Sequence, residues 1–292
     1  MKIRLYLGGI EFELDSERDL IINPEFCKFQ KDCPGAPKVS IKISWDWEHA
    51  TLPESEMVGA DLLHRYYQED NKCFCTALGG YKGLIASTCY TPDFQEVVCT
   101  INEKPFLEPP KTIGSIFRLL PVKEIFRYYG TLFLHASQIS YHGKGILFAA
   151  PSGVGKTTQA KLWRTYRNAE IICNDRVLIR KSDGVWRSHG YPIDGSEPVV
   201  SNQVNLLGGI VILQQGAENE AKRLTSGKAI SLLMRQVVID AWSSEARNQV
   251  LDRLAELVTD VPVFLLSCTP DEGAVIELEK NLKEKGGIKW EA

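Results

Sequence analysis

The run Gly145-Ile146-Leu147-Phe148-Ala149-Ala150-Pro151-Ser152-Gly153-Val154-Gly155-Lys156-Thr157 decides how this chain is read. It opens as an apolar segment of strand length, passes through a glycine-bearing turn and leads into a helical pattern over Thr157–Arg167. In the arrangement G-x-x-x-x-G-K-[ST], successive backbone N–H groups curl around an anion and the following helix aims its positive end at it. The lysine reaches the β- and γ-phosphates, and the hydroxyl residue ligates Mg2+. Here Gly153 and Gly155 supply the permissive backbone, Lys156 the cation and Thr157 the metal-binding hydroxyl. Ser152, Val154 and Thr158 complete the expected nucleotide-binding set. Ala150 stands where glycine is usual, and its methyl group excludes the backbone angles open only to glycine. Ala160 with Trp163, and Leu162 with Tyr166, fall at core-facing spacings of the helix. The alternative, a glycine turn beside an exposed lysine, does not require strand, loop and helix in that order.

Beyond the helix, Cys173-Asn174-Asp175-Arg176-Val177 follows a short expected strand, Glu170–Cys173, which puts Asp175 at a strand end beside the loop. In open α/β sheets the carboxyl ends of strands line the ligand crevice. A carboxylate there holds Mg2+ or takes the proton of an attacking hydroxyl, and phosphoryl transfer needs both tasks done. Taken alone, such an aspartate is a turn residue; the neighbouring loop and Arg176 favour the functional reading. His135 sits among Leu132, Phe133, Leu134 and Ala136, where a histidine is as readily a core or edge residue. Near phosphates it would bond the γ-phosphate or tune the base. Arg176 and Arg223 are candidates to stabilise charge on the transferring group, or else surface residues.

Working outward, the back half alternates strands with helices. Expected are a helix over Ile113–Tyr129 broken at Pro121, strands Thr131–Ser137 and Gln138–Tyr141, and a loop-rich middle after Cys173. Strand Ile210–Gln214, helices Gly227–Ile239 and Glu245–Leu257, strand Val261–Leu266 and helix Asp271–Glu284 follow. That alternation argues an α/β sheet covered on both faces. The first hundred residues read instead as β-rich: a Gly8-Gly9 hairpin, strands Val39–Trp45, Lys72–Leu78, Leu84–Tyr90 and Phe94–Ile101, and one short helix at Asp61–Gln68. The closely spaced prolines of Pro105–Pro110 fit neither helix nor ladder. They set the expected joint between a β-rich α+β domain, 1–110, and an α/β nucleotide-binding domain, 111–292.

The 292 residues are 44% apolar and 24% charged with a net charge of −3, so no basic excess points to nucleic acid. The N-terminus lacks the apolar stretch of a signal peptide, and no run suits a membrane span, so the expected address is the cytoplasm. Cys27, Cys33, Cys73, Cys75, Cys89 and Cys99 crowd the first hundred residues without any C-x-x-C knuckle. They read as small, reduced core residues, with a metal site or redox pair as the alternative.

Leu134-His135-Ala136-Ser137, the hairpin through His142-Gly143-Lys144-Gly145, the Ser152–Thr157 loop and Asn174-Asp175-Arg176-Val177 together resemble the catalytic domain of HPr kinase/phosphorylase. That domain is akin to the nucleotide domain of phosphoenolpyruvate carboxykinase. The resemblance is good over residues 130–180 and continues through Gly190-Tyr191-Pro192, Ile210–Gln215 and Lys222-Arg223-Leu224. There the chain looks like shorter HPr-kinase-like relatives found with peptide-modifying enzymes. Two features depart from the pattern. The family's aspartate pair is Asn174-Asp175 here, and the long glycine-rich signature is reduced to Gly190-Tyr191-Pro192-Ile193-Asp194-Gly195.

The resemblance implies a Mg2+-dependent, ATP-using kinase with a P-loop (Walker A) domain. Asp175, His135, Lys156 and Arg223 would be its catalytic residues, and Thr157, Asp175 and Asn174 its metal ligands. Its acceptor would be a serine-like hydroxyl on a peptide, protein or small molecule, met by the β-rich domain, with self-association left open. The rival reading is a nucleotide-binding module without transfer activity that regulates a partner complex.

Overall fold

The computed structural model describes the chain apart from residues 32–34, 81–82, 107, 109, 194–198, 241 and 287–292. It is a mixed α/β structure with two large sheets, divided into two compact units. The first is Met1–Tyr129 with Asp240–Ala246; the second is Gly130–Ile239 with Arg247–Ala292.

The first unit contains β1 (Lys2–Leu7), β2 (Ile10–Ser16), a helical turn α1 (Pro24–Cys27), β3 (Val39–Ser44), β4 (Met57–Ala60), β5 (His64–Glu69), β6 (Lys72–Leu78), β7 (Leu84–Tyr90) and β8 (Val97–Ile101). Helices α2 (Ile113–Phe117) and α3 (Val122–Tyr128) follow. The strands form one sheet in the order β1-β2-β3-β8-β7-β6-β5-β4, with β3 parallel to both β2 and β8. Gly8 and Gly9 turn the first hairpin with φ of +58° and +79°, the left-handed pair that such a two-residue turn requires.

Three expectations change here. Asp61–Gln68 is not helical: the Asp61 carboxylate accepts from the N–H groups of Leu63 and His64, and that turn launches β5. Alternating burial of His64 and Tyr66 then suits a strand. The joint at Pro105–Pro110 is not where the units divide. Phe117 and Phe126 pack edge-on against Phe12 at 5.7 and 6.0 Å, so α2 and α3 go with the first sheet. Of the cysteines, Cys75 and Cys99 are buried and Cys73 and Cys89 partly so, but Cys27 is exposed; Cys33 lies outside the described residues.

The second unit contains β9 (Thr131–Tyr141), β10 (Lys144–Ala149), α4 (Lys156–Arg167), β11 (Glu170–Cys173), β12 (Arg176–Ser182), β13 (Val185–Gly190), β14 (Val204–Gln215) and β15 (Glu220–Arg223). Then come α5 (Ser226–Leu233), α6 (Ser244–Asp260, begun in the first unit), β16 (Val263–Cys268) and α7 (Glu272–Glu284). The sheet order is β10-β9-β12-β13-β14-β16-β15, with β11 also on β9. Because β10 pairs with β14 as well, strands β10, β9, β12, β13 and β14 close into a ring. Among the described residues of this sheet, only β10–β14 and β14–β16 pair in parallel, so it is more antiparallel than the alternation of elements suggests. The two strands expected over Thr131–Tyr141 are one, and the loop-rich middle begins with the β12–β13 hairpin.

Helices α4 and α7 pack on one face. Ala160 and Trp163 from α4, and Val275, Leu278 and Leu282 from α7, meet Ile139, Ile146, Phe148, Val211, Phe264 and Leu266 of the strands. Tyr166, expected on that face, is exposed, while Leu162 packs at the cluster's edge. No helix among the described residues is long and apolar enough to cross a membrane.

Candidate active site

Strand β9 organises the site, because both of its edges change partner at His135 and Ala136. On one edge Arg176 of β12 pairs with His135, and beyond it β11 pairs with Gln138–Ser140. Asn174 and Asp175 occupy the gap between those two strands. The Asp175 carbonyl accepts from Ala136 N–H at 3.0 Å, and the Asn174 carbonyl accepts from the Ser137 hydroxyl at 2.9 Å. On the other edge Ala149, the last residue of β10, pairs with Ala136. The segment 150–157 therefore leaves its strand at the same level at which Asp175 is pinned.

That segment runs from β10 into α4. Gly153 and Gly155 take φ of +81° and +125°, a turn that residues with a Cβ rarely enter. Gly155 caps α4 and offers no side-chain acceptor to the amides at the helix start. Ala150, in contrast, has an ordinary backbone and buries its methyl group in the core beside Phe148 and Ala160. The glycine usual at this position is not required by the conformation found here.

Lys156 is only 8% exposed, and its Nζ donates to the carbonyls of Ala150 at 2.8 Å and Pro151 at 3.3 Å. The ammonium is thus folded back onto its own loop. Burial lowers its pKa, opposed by the negative charge of Asp175.

His135 Nε2 lies 3.1 Å from Asp175 Oδ1, and Arg176 Nε lies 3.3 Å from Oδ2. Both carboxylate oxygens are therefore engaged, on a side chain that stays 26% exposed. The hydrogen bond from His135 is the main cause that lowers the Asp175 pKa, burial opposes it, and the charges of Arg176, His135 and Lys156 add to the lowering. Asp175 therefore stands ionised, with an imidazole aimed at it. Arg176 also lies over the Phe133 ring, 5.7 Å from its centre.

Asn174 is 7% exposed, and neither its Oδ1 nor its Nδ2 finds a hydrogen-bond partner among the described residues. A buried amide left so is costly unless something else bonds it. Thr157 and Thr158 lie in the first turn of α4. Arg223 is not brought to this group. Its β15 position pairs with Phe264, and its guanidinium donates at 2.7 Å to the carbonyl of Lys285, just past α7. Part of the reduced glycine-rich run, Asp194-Gly195, lies outside the described residues. Among the described residues no group of three or more His, Cys, Asp or Glu gathers as a metal cluster.

The sequence reading missed the backbone on the far side of His135. His135 N–H donates to the Gln236 carbonyl at 2.8 Å, Val238 N–H donates to the Phe133 carbonyl at 2.7 Å, and Leu134 bridges Val237. No motif announces this pairing; it joins segments about a hundred residues apart, which a local pattern does not reveal.

Comparison with known proteins gives three findings. No curated protein matches the chain. Among solved structures, the chain is similar to the Hpr(Ser) kinase/phosphatase from Coxiella burnetii, at 13% identity over 53% of this chain and 99% of that one, with a TM-score of 0.31, too low to carry an argument. A family model described as SynChlorMet cassette protein ScmC matches residues 97–282, more than half of the chain and nearly all of the second unit, and the protein belongs to that family.

Proposed function

We propose that the second unit binds a Mg2+–nucleoside triphosphate, ATP above all, on the 150–157 loop and transfers the γ-phosphoryl group to a hydroxyl acceptor. One observation carries this reading: the β9 register sets an ionised, histidine-bonded Asp175 and a lysine-bearing loop on either side of Ala136. The amides at the start of α4 and Lys156 hold the phosphates, which draws the lysine away from the Ala150 and Pro151 carbonyls. Asp175 takes the acceptor's hydroxyl proton as the acceptor oxygen bonds to Pγ. The bond from Pγ to the bridging oxygen breaks, and the nucleoside diphosphate leaves. His135 holds the carboxylate in place.

Magnesium is usually held by one or two protein groups together with substrate phosphates, so a protein cluster is not required. Thr157 and Asp175 suit that role, and the unpartnered Asn174 amide is a further oxygen donor. The ion would neutralise charge on the phosphates. The acceptor is proposed as a serine-like hydroxyl of a peptide, protein or small molecule.

Asp175→Asn tests the assignment. Mg2+–ATP binding should persist by calorimetry, while transfer of labelled γ-phosphate falls about 10²–10⁴-fold, the usual worth of a positioned base. An unchanged transfer rate removes Asp175 as base. Tight nucleotide binding with no product from wild type and any hydroxyl acceptor favours a switch without transfer chemistry.

A further inference from the structure

One face of the second unit's sheet carries chemistry that the catalytic reading does not use. In an antiparallel ladder, residues directly paired point to the same side, as do residues two apart on one strand. His135 pairs with Arg176, so the side that carries these two also carries Arg180 of β12. Arg180 pairs with Arg187 of β13, and Arg187 in turn with Leu206 of β14. His189 shares that side and pairs with Val204, while Val185 precedes Arg187 by two residues near the hairpin turn. Contacts agree with the register. Arg176 lies over Phe133, two residues from His135, and Arg180 and Arg187 are the charges that act on His189.

The far end of this face is a patch of mixed character. Val185, Val204 and Leu206 are all exposed. Singly such residues are ordinary, but three sharing one face around Arg187 make a surface of the kind that marks interaction sites. Arg187 Nη1 donates to the Ser182 carbonyl and to its hydroxyl, both at 2.8 Å, which holds the guanidinium at this end of the hairpin. Arg180, directly opposite, adds a second positive charge.

We infer that this patch docks an extended segment of the acceptor polypeptide, one that carries acidic and aliphatic side chains. Carboxylates match the planar fork of each guanidinium, and aliphatic groups cover Val185, Val204 and Leu206. A nucleic acid would pair its phosphates with the arginines and leave the three apolar residues bare. Arg180 is four residues along β12 from Arg176, about 13 Å at the rise of a strand. An extended peptide covers that span in about four residues. A serine placed at Asp175 would thus carry its acidic residues about four positions away. That spacing, and the partner's role as phosphoryl acceptor, rest on the proposed function; the docking rests on the patch alone.

Fluorescence anisotropy on the full-length protein with Mg2+–ADP tests it with three labelled synthetic peptides. The first has a serine followed, four positions on, by Glu-Leu-Glu-Val. The second replaces both glutamates with lysine, and the third replaces the leucine and valine with serine. The first should bind about tenfold or more tightly than either control. The double variant Arg180→Glu/Arg187→Glu should lose that peptide and prefer the lysine one, a gain that a misfolded protein cannot show. Leu206→Ser should weaken the first peptide and keep the preference for glutamate over lysine. Mg2+–ATP affinity should stay at the wild-type value in both variants. Equal binding of the three peptides, no measurable binding of the first, or unchanged affinity in both variants overturns the inference. So does tighter binding of a single-stranded oligonucleotide that the arginine variant loses and Leu206→Ser retains, which would make the patch a phosphate site. If the first peptide docks as expected but its serine gains no labelled phosphate, the docking stands and only the kinase reading fails.

Discussion

His135 Nε2 lies 3.1 Å from Asp175 Oδ1, and the neighbouring Ala136 N–H donates to the Asp175 carbonyl at 3.0 Å, so the aspartate is held by side chain and backbone from one strand. The histidine bond is the leading cause of its lowered pKa. Replacing His135 with alanine should return the Asp175 pKa toward the ordinary aspartate range, with Arg176 retaining part of the shift. A carboxylate with a folded-state pKa below its unfolded value binds fewer protons when folded. Its stabilising effect is therefore full above the unfolded value and is lost as pH falls through the folded one. The His135→Ala variant should therefore lack much of this stabilisation already at neutral pH and lose less on acidification than the wild type, while the acid limb of its transfer rate moves upward. Coincident acid limbs for variant and wild type would separate the histidine from the base.

Lys156 makes a separate test of the loop. Its ammonium is buried and bonded to two carbonyls of its own turn. Lys156→Met keeps the stem and removes the charge, and burial was already disfavouring that charge. The variant should fold with a melting temperature close to wild type and bind Mg2+–ATP about 10–100-fold more weakly, the worth of one charge-assisted contact. Calorimetric titration beside thermal unfolding reads both quantities, and full affinity in the variant would exclude the loop as the phosphate site.

Ala150 carries the opposite expectation from the one its place in the motif suggests. Its backbone is ordinary, and its methyl group sits in the core with Phe148 and Ala160. Ala150→Gly should leave nucleotide affinity unchanged and lower stability by about 1–2 kcal/mol, from the lost methyl burial and the added freedom of the unfolded chain. Urea unfolding measures it; a gain in nucleotide affinity would mean that the alanine distorts the loop after all.

These contrasts show what was legible in the sequence. Strand β10, the loop, α4 and the four residues of β11 were read from local pattern, because apolar runs and glycines report backbone directly. The β12–β13 hairpin was readable and missed. Asp183-Gly184 turns it with φ of +52° and +75°, and a D-G pair between alternating strands is a known turn signal. Other features had no local signal. The ring closes only because β14 meets β10, and Arg223 is drawn to Lys285 by the antiparallel seating of β15 on β16. The two buried amide atoms of Asn174 likewise follow from packing around β11 and β9, where a motif shows only a substituted aspartate.

His189 offers a measurement that concerns the ring of strands and not the proposed chemistry. It lies on β13 between Leu178 of β12 and Val204 of β14, and burial, helped by the charges of Arg180 and Arg187, pushes its pKa down to about 4. At neutral pH the imidazole is uncharged both folded and unfolded and adds no pH dependence. Between its ordinary value and about 4 the unfolded chain takes up a proton that the folded one refuses, so stability falls steadily as pH falls through that window. The loss, complete near the folded pKa, is on the order of 3 kcal/mol. His189→Gln removes the titrating group while keeping a polar side chain of similar size. Urea midpoints measured from pH 4 to pH 7 should slope in the wild type and flatten in the variant, whatever the variant's stability at pH 7. Parallel slopes for the two proteins would show that His189 gains its proton without opening the ring, and acid sensitivity would then have to come from the carboxylates.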